Sequence, residues 1–148
     1  MNNEIANQLN DLITLNNDRV AGYQKVVADI KDENIDLKGI FLKYAEQSRK
    51  FSQELTQIVA QQGEDAETGT TLGGSLHRAW IDVKSVFGGS DRKSILDEAE
   101  RGEDVIKKAY KDTVEGGKLS GNALEVVLRQ QAEIVQDHDV IKHLRDAE

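Results

Sequence analysis

Few side chains in this chain could hold a metal ion or carry a proton, and their spacing suits neither task. Its histidines are His77, His138 and His143, and it has no cysteine. Thiolate metal sites, disulfides and Cys nucleophiles are therefore excluded. A di-iron centre in a helical bundle takes a Glu from each of two helices and a Glu-x-x-His from each of the other two. The residues three before the histidines are Gly74, Val135 and Val140. No Glu-x-x-His exists, and a standard di-iron or ferroxidase site is not encoded.

Other arrangements read first as structure. Asp139 and His143 share a helix face at four-residue spacing, a pair that holds a divalent ion only weakly and otherwise serves as surface charge. His77, beside Arg78 and Trp80, reads as an interfacial side chain. Gly69-Thr70-Thr71-Leu72-Gly73-Gly74-Ser75 has the glycine content of a phosphate loop but no Gly-Lys-Ser/Thr ending and no preceding strand. Nothing resembles the strained turn of a Ser nucleophile.

Charge narrows the partners. The 148 residues hold 27 acidic and 19 basic side chains, a formal net charge of −8. The basic residues are interleaved with acids four residues away, as in Lys25–Asp29 and Glu103–Lys107, which gives solvated helix faces. A nucleic-acid partner, which needs a basic surface, is not expected. No apolar run approaches the ~20 residues of a membrane helix, and the N-terminus lacks the pattern of a signal peptide. The expectation is a cytoplasmic protein with no membrane partner.

The elements that must position these residues are helices. Proline, which breaks helix interiors, is absent. Ile5, Leu9, Leu12, Asn16, Arg19, Tyr23, Val26 and Ile30 step by four and three, and predict a helix over about 3–31. Leu37, Phe41, Tyr44, Ser48, Phe51, Leu55 and Ile58 predict a second over about 36–62, capped by Asn34 or Asp36 and stopped at Gly63. A third, over about 91–115, follows Ser90 on a seam of Ile95, Ala99, Gly102, Ile106, Ala109 and Thr113. The fourth, over about 120–146, is capped by Ser120 and carries Leu124, Val127, Gln131, Ile134, His138 and Ile141. Short turns make helices 1 and 2, and helices 3 and 4, antiparallel hairpins. The link 63–90, with an amphipathic helix over about 76–87, is long enough to run the bundle's length and leave helices 2 and 3 parallel. The fold class is all-α: one domain over residues 1–148, a ferritin-like four-helix bundle with a long crossover.

The seam is not wholly apolar. Asn16, Arg19, Ser48, Gln131 and His138 fall on core-facing positions, and Gly102 leaves space opposite them. Asp18, Arg49, Glu100 and Glu103 lie one position off. Unpartnered buried polar groups cost about 1–3 kcal/mol each, so these residues should form a hydrogen-bonded layer that fixes helix register. The alternatives are a metal or small-ligand site built from Glu100, Glu103 and His138, or side chains that simply reach solvent.

Several stretches resemble a bacterial family of ferritin-like four-helix-bundle proteins (domain of unknown function 2383). They are Leu9-Asn10-Asp11-Leu12-Ile13 with Asp18, Gly22 and Tyr23; Gly73-Gly74-Ser75-Leu76-His77-Arg78-Ala79-Trp80-Ile81-Asp82-Val83-Lys84; Glu98-Ala99-Glu100-Arg101-Gly102-Glu103-Asp104; and Gln131 with His138-Asp139, Ile141, Leu144 and Arg145. Where the family often has Cys in helix 3, this chain has Ala99. The resemblance implies the fold and a bacterial, cytoplasmic, stress-associated setting, and brings no activity, substrate or cofactor with it.

The function expected from all this is that of a non-catalytic, uncharacterised acidic bundle. It would act on an unknown protein partner or as a homo-oligomer, without a cofactor. The rival is a bundle that binds iron or another divalent metal through non-standard ligands. A third reading is a binder of a small apolar molecule beside Gly102.

Overall fold

In the computed structural model, residues 3–30, 32–63 and 92–148 are described. They form four long helices: α1 (Asn3–Asp29), α2 (Ile35–Gln61), α3 (Arg92–Glu115) and α4 (Gly121–Asp146), with a single 3-10 turn at Asp32–Asn34 before α2. No strand occurs among the described residues. The chain is an all-α four-helix bundle. Each boundary falls within two residues of the sequence reading. The crossover 64–91, with its expected helix at 76–87 and the Ser90 cap, lies outside the described residues.

Local chemistry sets the ends. Gly63 and Gly117 sit at φ +78° and +70° just past α2 and α3, the left-handed conformation that closes a helix and that other residues adopt at a cost. Asn34 and Ser120 occupy the N-cap positions of α2 and α4, although neither side chain makes the capping bond.

Helices α1 and α2 pack as one hairpin and α3 and α4 as the other; α1 also touches α3, and α2 touches α4. Their relative direction follows from what meets at each end. One apolar cluster joins Tyr23, Val26 and Ile30 of α1 to Leu37 and Phe41 of α2, Ile95 and Leu96 of α3, and Ile141 of α4. The other joins Leu9 and Leu12 to Leu55 and Ile58, Ile106 and Tyr110, and Ala123 and Val127. The starts of α2 and α3 therefore share an end, and the two helices run parallel. Arg92, at the first turn of α3, confirms it by reaching both carboxylate oxygens of Asp36 at 2.7 and 2.9 Å and Glu148 at 3.1 Å. At the other end Lys118, between α3 and α4, pairs with Glu4 of α1. Such exposed pairs contribute about 0–1 kcal/mol each; here they report direction.

The seam predicted for α1 and α2 is the buried one almost residue for residue. In α3 the predicted Ile95, Ala99, Gly102 and Ile106 are buried, but Glu103 and Tyr110 are buried beside them while Ala109 and Thr113 are only half-buried. In α4 Val127, Ile134, His138 and Ile141 are buried as predicted, and Ala123, Gln130 and Asp137 turn inward where Leu124 and Gln131 were expected. Among the described residues, no helix is long and apolar enough to cross a membrane.

Candidate functional site

The core is apolar in two halves, and between them lies a layer of polar side chains drawn from all four helices. Its centre is Arg19 of α1, whose side chain is 0% exposed. A guanidinium has five N–H donors in a fixed fork, and every one is used. Nε donates to Glu103 Oε1 at 3.2 Å, and Nη2 donates to the same oxygen at 2.7 Å and to Asp137 Oδ2 at 3.0 Å. Nη1 donates to Gln47 Oε1 at 2.7 Å and to Ser48 Oγ at 3.0 Å. The guanidinium carbon also lies 5.6 Å from the Tyr23 ring centroid and 5.2 Å from that of Tyr44, within cation–π range.

From Ser48 the bonds run on in one sense. Ser48 Oγ donates to Asn16 Oδ1 at 2.9 Å, and Asn16 Nδ2 donates to Tyr110 Oη at 2.8 Å and to the Leu12 carbonyl at 2.9 Å. Tyr110 Oη donates to Gln130 Oε1 at 2.6 Å, and Gln130 Nε2 donates to Glu54 Oε1 at 3.0 Å. Each donor is polarised by the acceptor it carries, so the chain is stronger than its separate links. It leaves the core at Glu54, which Arg129 holds from outside. A short bond from Tyr23 Oη to Glu103 completes the centre.

Burial governs the proton equilibria. It alone would push the Arg19 guanidinium down, but the carboxylate of Glu103, then Tyr23 and Asp137, hold it above its ordinary value. Burial, reinforced by Glu103, lifts the Tyr23 phenol well above the usual range. Burial raises Tyr44, with Asp137 and Glu103 adding to it, and raises Tyr110 against the lowering bond from Asn16. These phenols keep their protons at neutral pH, and Tyr23 and Tyr110 donate hydrogen bonds to Glu103 and Gln130. Burial pushes the Asp137 carboxyl up to about 6, against the lowering pull of Arg19. A carboxyl raised above its unfolded value binds more protons folded than unfolded, so its contribution to stability falls as pH rises from about 4 to about 6. We expect the stability of the wild type, relative to Asp137→Asn, to fall over that window in urea unfolding at a series of pH values. A difference that is flat or rises with pH would contradict the placement of Asp137.

The residues proposed from sequence land in three places. Asn16, Arg19 and Ser48 lie in the network. Gln131 is only half-buried, because the turn of α4 gives the inward position to Gln130. His138 is buried at the flank: its Nε2 meets Asp104 Oδ1 at 2.6 Å and its Nδ1 meets Asp139 at 3.3 Å. The members of the metal trio do not converge. Glu103 faces Arg19, Glu100 is taken by Arg145, and His138 faces Asp104. Among the described residues, no group of three or more His, Asp or Glu side chains is arranged to hold a metal ion. Of the off-seam residues, Asp18 is buried and Arg49 pairs on the surface with Glu46. Gln47, Asp137, Tyr110 and Gln130 escaped the sequence reading. Asp137 directly precedes His138, and a seam drawn through Ile134 and Ile141 admits either.

The model of a family described as a domain of unknown function (DUF2383) matches residues 4–116. The chain belongs to this family. The matched stretch takes in Arg19, Ser48 and Glu103, while Gln130 and Asp137 lie beyond it. No curated protein and no solved structure matches the chain.

Proposed function

We propose that this member of the family is a non-catalytic, ferritin-like bundle protein. It acts through its surface on a protein partner, or by self-association, in the bacterial cytoplasm and in a stress-associated setting. The setting rests on the sequence resemblance, and the ferritin-like reading on the parallel α2 and α3 with their long crossover. What carries the non-catalytic reading is Arg19. Where a metallo-bundle would gather its carboxylates around a cation, this chain places a guanidinium of its own and uses all five of its donors. A metal ion would have to displace it.

One observation favours the rival, a divalent-metal bundle: Glu100 Oε2 and Glu103 Oε2 are buried with no hydrogen-bond partner among the described residues. Elemental analysis and thermal melts with iron, manganese or zinc decide between the two. A ligand that binds only the folded chain raises its melting temperature by mass action. We expect no stoichiometric metal and the same small shift in wild type and His138→Leu. A clear rise in wild type at one metal per chain, lost in Glu103→Gln or His138→Leu, would overturn the proposal.

A further inference from the structure

Helix α4 carries two seams. The inner one, through Val127, Ile134 and Ile141, fills the core. A second runs through Leu124, Leu128, Gln131 and Val135 at steps of four, three and four, which is the spacing of a helix-packing face. Leu124, Gln131 and Val135 are half-buried, and Leu128 is 41% exposed. Gln131 and Val135 form the α4 wall of a groove of about 420 Å³, whose α3 wall is Asp104, Lys107, Lys108 and Lys111. Leu128, one heptad before Val135, lies on the same face of α4 just beyond the groove's lining.

The groove is locally basic on a chain of net charge −8. Lys108 is bound to Asp112 at 2.7 Å, and Asp104 is taken by His138. Lys107 and Lys111, one turn apart, have no ion-pair partner among the described residues. A small molecule favours an enclosed pocket. An open trough between two helices fits a third helix laid along it.

We infer that the α3/α4 groove docks an amphipathic helix of a partner protein, with apolar residues at four-three-four spacing against Leu128 and Val135 and with Asp or Glu along the flank facing Lys107 and Lys111. This deepens the interaction reading above and rests on it.

The test uses the full chain, ¹⁵N-labelled, and an end-capped alanine-based peptide of about 18 residues, long enough to be helical. The peptide carries Leu at that spacing and Glu on one flank. We expect saturable amide shifts confined to residues 107–111 and 128–135, and weaker binding at higher salt. Lys107→Glu/Lys111→Glu should weaken binding roughly tenfold or more, and Leu128→Asn should weaken it through the apolar contact. Lys50→Glu, on α2, should leave binding unchanged. These positions are on the surface, and circular dichroism checks that each variant stays folded. The inference is overturned if no saturable shift appears at about 1 mM peptide, or if the shifts map to another face. It is equally overturned if a peptide with Gln for every Glu binds as well. Such failures leave the interaction reading standing, because that reading falls only to the metal experiment.

Discussion

Arg19→Met should cost about 3–5 kcal/mol in denaturant unfolding, the usual penalty for removing one partner of a buried ion pair. Domains of this size are stable by about 5–15 kcal/mol in all, so the variant should be near the edge of folding. The loss comes mainly from what stays behind. Glu103 and Asp137 would remain buried without the charge between them, and Gln47 and Ser48 would lose a donor. Two consequences separate this account from simple loss of packing. The stranded Asp137 carboxyl, no longer held down by Arg19, becomes easier to protonate, so the deficit should shrink as pH falls from about 7 to about 4. Replacing all three charged groups together, as Arg19→Met/Glu103→Met/Asp137→Leu, should recover most of the loss, since apolar replacement of a buried ionic cluster is often neutral or stabilising. A single-variant cost below about 1 kcal/mol would show that Arg19 reaches water.

This network also marks where sequence reasoning stops. The bundle itself was legible because a helix buries one face, and four-three spacing persists through all four segments. The crossover's length and its own amphipathic segment predicted parallel α2 and α3, and the meeting of Arg92 with Asp36 bears it out. Arg19 and Ser48 were readable because a polar residue interrupting an otherwise apolar seam has few other places to go. Asp137 and Gln130 were not readable. Val127, Ile134 and Ile141 recur every seven residues, and the inward face between them can be completed by the residue three after each anchor or by the one four after it. Local hydrophobicity cannot correct the choice, because a carboxylate is an improbable core residue until its partner is known. That partner lies 118 positions away in the chain. The same ambiguity drew attention to His138, which reaches Asp104 at the rim while its neighbour faces Arg19.

The rotation of α2 can be tested by two adjacent substitutions. Phe41→Ala should cost about 3–5 kcal/mol, because truncating a fully buried ring loses both its transfer from water and the packing around the cavity left behind. Phe41 is 0% exposed, and its ring stacks on Tyr23 with centroids 4.9 Å apart and planes at 28°. Tyr23 in turn meets Tyr44 edge-on at 5.8 Å. Leu42, the next residue, is 48% exposed, and Leu42→Ala should fall within about 0.5 kcal/mol of wild type. One step along a helix is about 100° of rotation, so the contrast reads the facing of α2 directly. Phe41 also props the ring whose hydroxyl donates to Glu103. Its loss should therefore couple to the network: the costs of Phe41→Ala and Tyr23→Phe should fail to add by 0.5 kcal/mol or more, as residues in contact usually do. Equal costs at positions 41 and 42 would mean that α2 is turned from the facing described, and Ser48 with it. Strict additivity with Tyr23→Phe would mean that the aromatic stack and the charged layer are independent structures that merely adjoin.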